Sequence, residues 1–321
     1  MLRIELLGSG RAFVDETPIP SFPRQQHFLL LCYLLLNLRR PLLRDQLAAV
    51  FWGDYPIQPA RKYLRNALWK LRQALDASGA PSDQFLLISD ESISFLHSGS
   101  YQLDIERFEN GILPFQDIPG QQLSPQQAGE LEKTVEIYTG DLLEGVYDDW
   151  TLYDRERLSL LYTAALSKLI TYHEVHGHYE RGLAYAERIL ARDNTREQIH
   201  LQMMRLYWLS GDRPSALAQY RRCKQILHEE LNIQPMQETS EVYQRMIHNQ
   251  YPSATSAPRL PADRAANLNL NDAILIRLQQ LQKVIEDTRS ELVQLEELLS
   301  QPLPAPPAVS PPLNQPLLPG Q

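Results

Sequence analysis

Arg61, Lys62, Arg65, Lys70 and Arg72 crowd into the stretch from Gln58 to Asp76, with Asp76 as the only carboxylate among them. None of these cations gives up its proton near neutral pH, so what they offer is fixed positive charge and hydrogen-bond donors. An Arg guanidinium is a planar fork that pairs bidentately with phosphate or guanine, and each Lys or Arg brought to a phosphate displaces condensed counterions. Asn66 carries the donor and acceptor edge that matches adenine, and Trp69 offers a flat apolar surface for sugar or a thymine methyl. The chemistry is recognition of a polyanion that has base edges, which is duplex DNA.

To do this the stretch must be a helix with two faces. Leu64, Leu68, Leu71 and Leu75 recur at four, three and four residues, the period of a buried stripe. At 100° per residue, Arg61, Arg65 and Arg72 fall on one flank of that stripe, and Lys62, Asn66, Trp69 and Gln73 fall on the far side. Elements around it are legible. LRIELLGSGRAFV alternates apolar residues at Leu2, Ile4 and Leu6, turns at Gly8-Ser9-Gly10 and resumes at Phe13, which predicts a strand pair. Arg24 to Leu38 is an apolar helix stopped by Pro41, and Arg44 to Phe51 is a shorter one ending at Trp52-Gly53. The cationic helix follows Pro56 and Pro59, and FLLISDESISFL gives two short strands around Asp90-Glu91. Arg44, opening the second helix, is placed to touch the DNA backbone, with Arg39 and Arg40 beside it.

Strands, three helices and a terminal hairpin, with the third helix basic, is the order of a winged helix-turn-helix. LLCYLLLNLRRPLLRDQLAAVFWGD followed by ARKYLRNALWKLRQAL resembles the OmpR-type winged helix at the front of the antibiotic-regulatory-protein (SARP) type bacterial activators. In that family the hairpin ends in a Gly-Tyr-x-Leu pattern with a basic or neutral tip. Here Ser92-Ile93-Ser94-Phe95 takes that place and the tip carries Asp90 and Glu91, which phosphate repels, so deep insertion of the wing into a minor groove is not expected.

Asp104 and Arg107-Phe108 match the start of the family's second module, the bacterial transcriptional activator domain, and YTGDLLEGVYDDWTLYDRERL, Tyr138 to Leu158, matches it more closely. An internal repeat follows. HGHYERGLAYA, from His176, returns 34 residues later as SGDRPSALAQY, from Ser210, aligning Gly177 with Gly211, Leu183 with Leu217 and Ala184 with Ala218. That period, with Gly between two helices, is the tetratricopeptide pattern, although both copies lack its late Pro. The resemblance covers about residues 1 to 250. It implies a regulator, an activator that binds promoter direct repeats and contacts RNA polymerase.

The expected fold class is therefore mainly α: a winged helix-turn-helix (α+β) over residues 1–99, a tetratricopeptide-like activator domain over 101–250, a linker over 251–269, a coiled-coil helix over 270–300 and a disordered Pro-rich tail over 301–321. The expected DNA-binding residues are Arg44, Arg61, Lys62, Arg65, Asn66, Trp69 and Arg72, with double-stranded DNA and RNA polymerase as partners and no cofactor, metal or membrane.

Composition is compatible with this. The whole chain of 321 residues has a net charge of −8, but Gln58 to Asp76 alone holds five Lys or Arg against one acid, so the basic patch is local. Cys32 and Cys223 lie far apart in apolar helical patterns, which predicts core thiols in a reducing cytoplasm. The apolar run Phe28 to Leu36 is too short to span a bilayer.

Rival chemistries are weaker. His173, His176 and His178 stand at i, i+3 and i+5 rather than at the spacing of a helical zinc site. Asp141, Asp148, Asp149, Asp154 and Glu156 lie inside the activator-domain motif, where capping, salt bridging or partner contact is expected ahead of catalysis, and no phosphate-binding loop or nucleophile elbow is present. The alternative function is a tetratricopeptide-type scaffold or sensor that does not bind DNA.

Ile274, Leu278, Leu281, Ile285, Thr288, Leu292, Leu295 and Leu299 alternate four and three, about four heptads that predict association into a homo-oligomer. Truncation after Pro261 is expected to lower the mass per particle in light scattering; an unchanged mass would show that this segment does not drive assembly.

Overall fold

The computed structural model describes residues 1–19, 25–38, 40–96 and 100–250. Arg39, the linker, the coiled-coil segment and the Pro-rich tail lie outside the described residues. Among those described, ten α-helices follow a small β region.

β1 (Leu2–Glu5) and β2 (Arg11–Val14) pair antiparallel around the glycine turn, as the alternation of Leu2, Ile4 and Leu6 predicts, and β3 (Thr17–Pro18) adds a short edge. α1 (Gln26–Leu36) is buried on nearly every side, which its unbroken apolar run requires. β4 (Leu42–Leu43), α2 (Arg44–Trp52) and α3 (Ile57–Ala77) follow, then the hairpin of β5 (Leu86–Ile88) and β6 (Ser92–Phe95). β4 pairs with β6, so the wing is a three-stranded sheet in the order β4-β6-β5. Cys32 and Cys223 are both free and buried.

Tyr101 to Leu103, just ahead of the activator-domain motif, is a strand that the sequence does not announce. It forms β7, parallel to β1, and completes a sheet ordered β3-β2-β1-β7. Apolar Tyr101 and Leu103 flanking Gln102 have the strand period, but three residues are too few for it to stand out without knowledge of β1.

From Asp104 the chain is helical. α4 (Asp104–Ile112) is followed by α5 (Pro125–Val135), which starts on a capping box between Ser124 and Gln127. α6 (Leu152–Val175) and α7 (Tyr179–Leu190) form one antiparallel pair, α8 (Glu197–Leu209) and α9 (Arg213–Leu231) the next, and α10 (Gln237–Ile247) packs on the second pair. The 34-residue repeat is visible in the backbone. His178 N–H donates to His173 O at 2.9 Å and Asp212 N–H to Tyr207 O at 2.8 Å, each across a glycine with positive φ, +73° at Gly177 and +87° at Gly211. The small residues packed inside are Gly182 and Ala216, two positions before the exposed Ala184 and Ala218. No helix among the described residues is long and apolar enough to cross a membrane.

One hydrophobic core runs from Leu2 through the winged helix and into the repeats as far as Leu206. Three contacts tie its two ends. Asp104, 8% exposed, accepts from the Leu6 and Leu7 amides at the end of β1 and from its own helix at Ile105, all at 2.8 Å. Burial pushes its carboxyl up from the ordinary range, and the three amides oppose that. The loop Thr139 to Val146 clasps the glycine turn: Gly8 N–H donates to Asp141 O, Leu143 N–H to Leu6 O and Glu144 N–H to Gly8 O, at 2.7 to 2.9 Å. Arg155 holds that loop by donating to the carbonyls of Leu142, Leu143 and Val146. Lastly, Trp150 meets Tyr33 of α1 and Phe51 of α2, with ring centroids 5.3 and 5.7 Å away.

Replacing Asp104 with Ala leaves two strand amides buried without partners, at about 1–3 kcal/mol each. Asp104→Ala is expected to lose about 3 kcal/mol or more in urea unfolding, and Asp104→Asn, which keeps one carbonyl acceptor, to lose less.

Candidate nucleic-acid interface

α3 owes its position to its stripe. Leu64, Leu68, Leu71 and Leu75 are all buried, joined by Ala60 and Ala67. Pro56 precedes the helix and Pro59 sits in its first turn, where a missing N–H costs no intrahelical bond. Its end is a Schellman motif: Ala80 N–H donates to Leu75 O at 3.0 Å and Gly79 N–H to Asp76 O at 3.2 Å, with Gly79 at φ +85°. Asp76 then accepts from Ser82 N–H at 2.7 Å, fixing the approach to the wing.

Every polar residue expected to contact DNA from this helix is exposed: Arg61, Lys62, Arg65, Asn66 and Arg72, with Trp69 60% exposed. They divide into two groups. Arg65, Trp69 and Arg72 line an open groove of about 400 Å³ between α3 and the wing, together with Arg44 from α2 and with Leu68 and Ile88. Arg61, Lys62 and Asn66 lie outside that groove, toward the start of the helix.

Their electrostatic states also differ. Lys62 and Arg65 form no ion pair among the described residues, whereas Arg72 makes a long 3.3 Å contact to Ser82 Oγ. Arg44 spends a donor on Ser89 O at 2.7 Å, while its backbone N–H donates to Glu91 O at 2.9 Å, so the acidic wing tip is tied to the start of α2. Asp90 and Glu91 are exposed. Arg40 reaches Asn37 Oδ1 at 3.2 Å.

Arg61 is engaged as well, which sequence reading missed. Its Nε and Nη2 donate to the two carboxylate oxygens of Asp45 at 2.7 and 2.6 Å, across the turn between α2 and α3. That hydrogen bond holds the Asp45 carboxyl below its usual range and raises Arg61 in turn. The two lie sixteen positions apart on different helices, and only the crossing of those helices brings them together.

Most of the other chemistry-bearing residues are held in structural contacts, while the carboxylates of Asp148 and Asp149 are exposed. Asp141 accepts from Tyr138 and pairs with Arg192, while Asp154 and Glu109 share Arg157. The Asp148 carbonyl accepts from Thr151. His173 Nε2 meets Glu132 at 2.9 Å and His176 Nδ1 meets Tyr172 O at 2.8 Å. Among the described residues no group of His, Cys, Asp and Glu is arranged to hold a metal ion.

Residues 103–247 match the family model described as the bacterial transcriptional activator domain, and the helical stretch is such a domain. Among its relatives, the regulatory protein AfsR of Streptomyces griseus is 25% identical over 77% of this chain, which spans about a quarter (24%) of AfsR. The transcriptional regulatory protein EmbR of Mycobacterium tuberculosis is 24% identical over 76% of this chain and 63% of EmbR, and MoaR1 of the same organism is 23% identical over 77% and 79%. The fold is shared with a solved structure described as Mycobacterium tuberculosis EmbR in complex with low affinity phosphopeptide, at TM-score 0.63 and 22% identity, covering 87% of this chain and 71% of that one.

Two buried histidines give the helical domain a pH dependence. His200 Nε2–H donates to Asn194 O at 2.8 Å and Nδ1 accepts from Gln219 at 2.7 Å, which fixes a neutral ring. Burial lowers the pKa of His200, and also that of His173, where Glu132 opposes it. Unfolded imidazole protonates near about pH 6.5. With the folded pKa depressed, this stability is fully present above that pH and is lost progressively as pH falls below it and through the lower folded pKa. The urea midpoint is expected to drop between about pH 7.5 and about 5.5, and to drop less in His200→Gln.

Proposed function

We propose that the chain is a sequence-specific DNA-binding transcriptional regulator, an activator that lays α3 in the major groove. The observation that carries this is the composition of the α3 surface. A helix whose apolar face is fully used in the core leaves Lys62 and Arg65 exposed, with no ion pair among the described residues, beside a groove where Arg44, Arg72 and Trp69 converge. The relatives' names, regulators in each case, support the reading.

The residues divide by role. Lys62 and Arg65, which form no ion pair among the described residues, contact phosphate or guanine, and Asn66 faces bases from the same stretch of helix. Arg44 is held by the wing turn, and a fixed guanidinium there suits a backbone phosphate at the start of α2. Trp69 packs in the groove between helix and wing and presents its exposed face to sugar or a thymine methyl. The acidic tip keeps the wing clear of phosphate, which leaves α3 as the main source of affinity and makes pairing of two copies on direct repeats valuable. The helical domain supplies the surface for RNA polymerase.

Gel shifts on promoter DNA across a salt series test this reading. The wild-type protein is expected to bind with a steep loss of affinity as salt rises. Lys62→Ala should flatten the salt slope by about one, and Arg65→Ala should cost about 1–3 kcal/mol if it reads a base. Folded Lys62→Ala and Arg65→Ala proteins that bind unchanged would remove α3 from the interface; binding to no DNA would favour the scaffold alternative.

A further inference from the structure

The Arg61–Asp45 pair bears on how the interface chooses its DNA, and the inference rests on the DNA-binding reading above. The edge of a guanidinium that pairs bidentately with a phosphate, or with guanine, carries two parallel N–H donors. In Arg61 the Nε/Nη2 edge is filled by both oxygens of Asp45, at 2.7 and 2.6 Å. The pair is open to water, with the side chains 46% and 57% exposed, and exposed pairs of this kind add little to folding stability.

Its placement is what matters. Asp45 stands in the first turn of α2, next to Arg44, and Arg61 is one turn from Arg65 on α3, so the carboxylate sits among the cations that would meet DNA. It does two things there. It offsets the repulsion between Arg61 and Arg65, which are like charges at i and i+4. It also occupies the cation that would otherwise be free to take any phosphate within reach.

We propose that Asp45 is a specificity-determining residue of the DNA interface: it restrains Arg61, lowering affinity for DNA of any sequence, so that discrimination falls to the exposed Lys62, Arg65 and Asn66. A carboxylate cannot itself favour phosphate, so its effect on nonspecific binding is negative, a smaller part by direct repulsion and the larger part by withholding Arg61.

The test uses the full chain and two duplexes of equal length, one enriched by the wild-type protein from a randomised pool and one unselected. Asp45→Asn keeps the size of the side chain and removes its charge. It is expected to bind the unselected duplex about fivefold more tightly at about 0.15 M salt, the worth of one added phosphate contact, with the salt slope steeper by about 0.9. The selected duplex should gain less, so the ratio of the two affinities falls. In an Arg61→Ala background the same Asp45→Asn change relieves only direct repulsion of phosphate and should give a clearly smaller gain in affinity and slope, whereas a purely structural staple between α2 and α3 would move thermal stability and leave the ratio alone. Unchanged nonspecific affinity and slope in Asp45→Asn would overturn the proposal, as would a gain that is just as large without Arg61. If the wild-type protein enriches no duplex, it is the DNA-binding reading that fails.

Discussion

The buried carboxylate of Asp104 carries three amide bonds, two of them to a strand almost a hundred residues earlier in the chain, and the arrangement of both halves depends on it. A strand leaving a sheet edge has amides that must find partners, and a helix starting beside it favours negative charge at its first turn. One Asp at the first position of α4 meets both needs. β7, which leads directly into it, runs parallel to β1, so the helical domain begins inside the sheet of the winged helix.

The other contacts reinforce that join from different directions. The Thr139 to Val146 loop wraps the glycine turn, and Arg155 braces the loop from behind with three carbonyl bonds. Trp150 reaches α1 and α2 through Tyr33 and Phe51. α2 therefore touches the helical domain at its C-terminal end and carries Arg44 and Asp45 at its N-terminal end. With a single core running from Leu2 to Leu206, a push at Trp150 and a contact at Arg44 act on the same short helix.

Much of this was legible in the residues. The Leu64, Leu68, Leu71, Leu75 stripe gave the buried face of α3 because helical periodicity is local, and the 34-residue repeat gave two helix pairs whose turn hydrogen bonds recur in register. The motif at Tyr138 to Leu158 stood out in sequence, but its role as a clasp on Gly8 depends on a contact spanning more than a hundred residues. β7 was hidden because three residues hold too little pattern, and the Asp45–Arg61 pair because it is set by a helix crossing. α1 was expected to extend to Leu38 but ends at Leu36, where the Asn37 side chain donates to Tyr33 O and closes the last turn.

The parallel pairing of β1 with β7 also sets an order for folding. The first strand of the chain pairs on one side with β2, a local contact, but its other edge stays open until residues 101–104 have been made. Closing a loop of that length is slow compared with forming the hairpin or any of the helices inside it. The winged helix can thus collect its helices early, while its sheet is finished only by the start of the next domain. β1 is held on one edge early, while its other edge stays unpaired until the start of the next domain is in place.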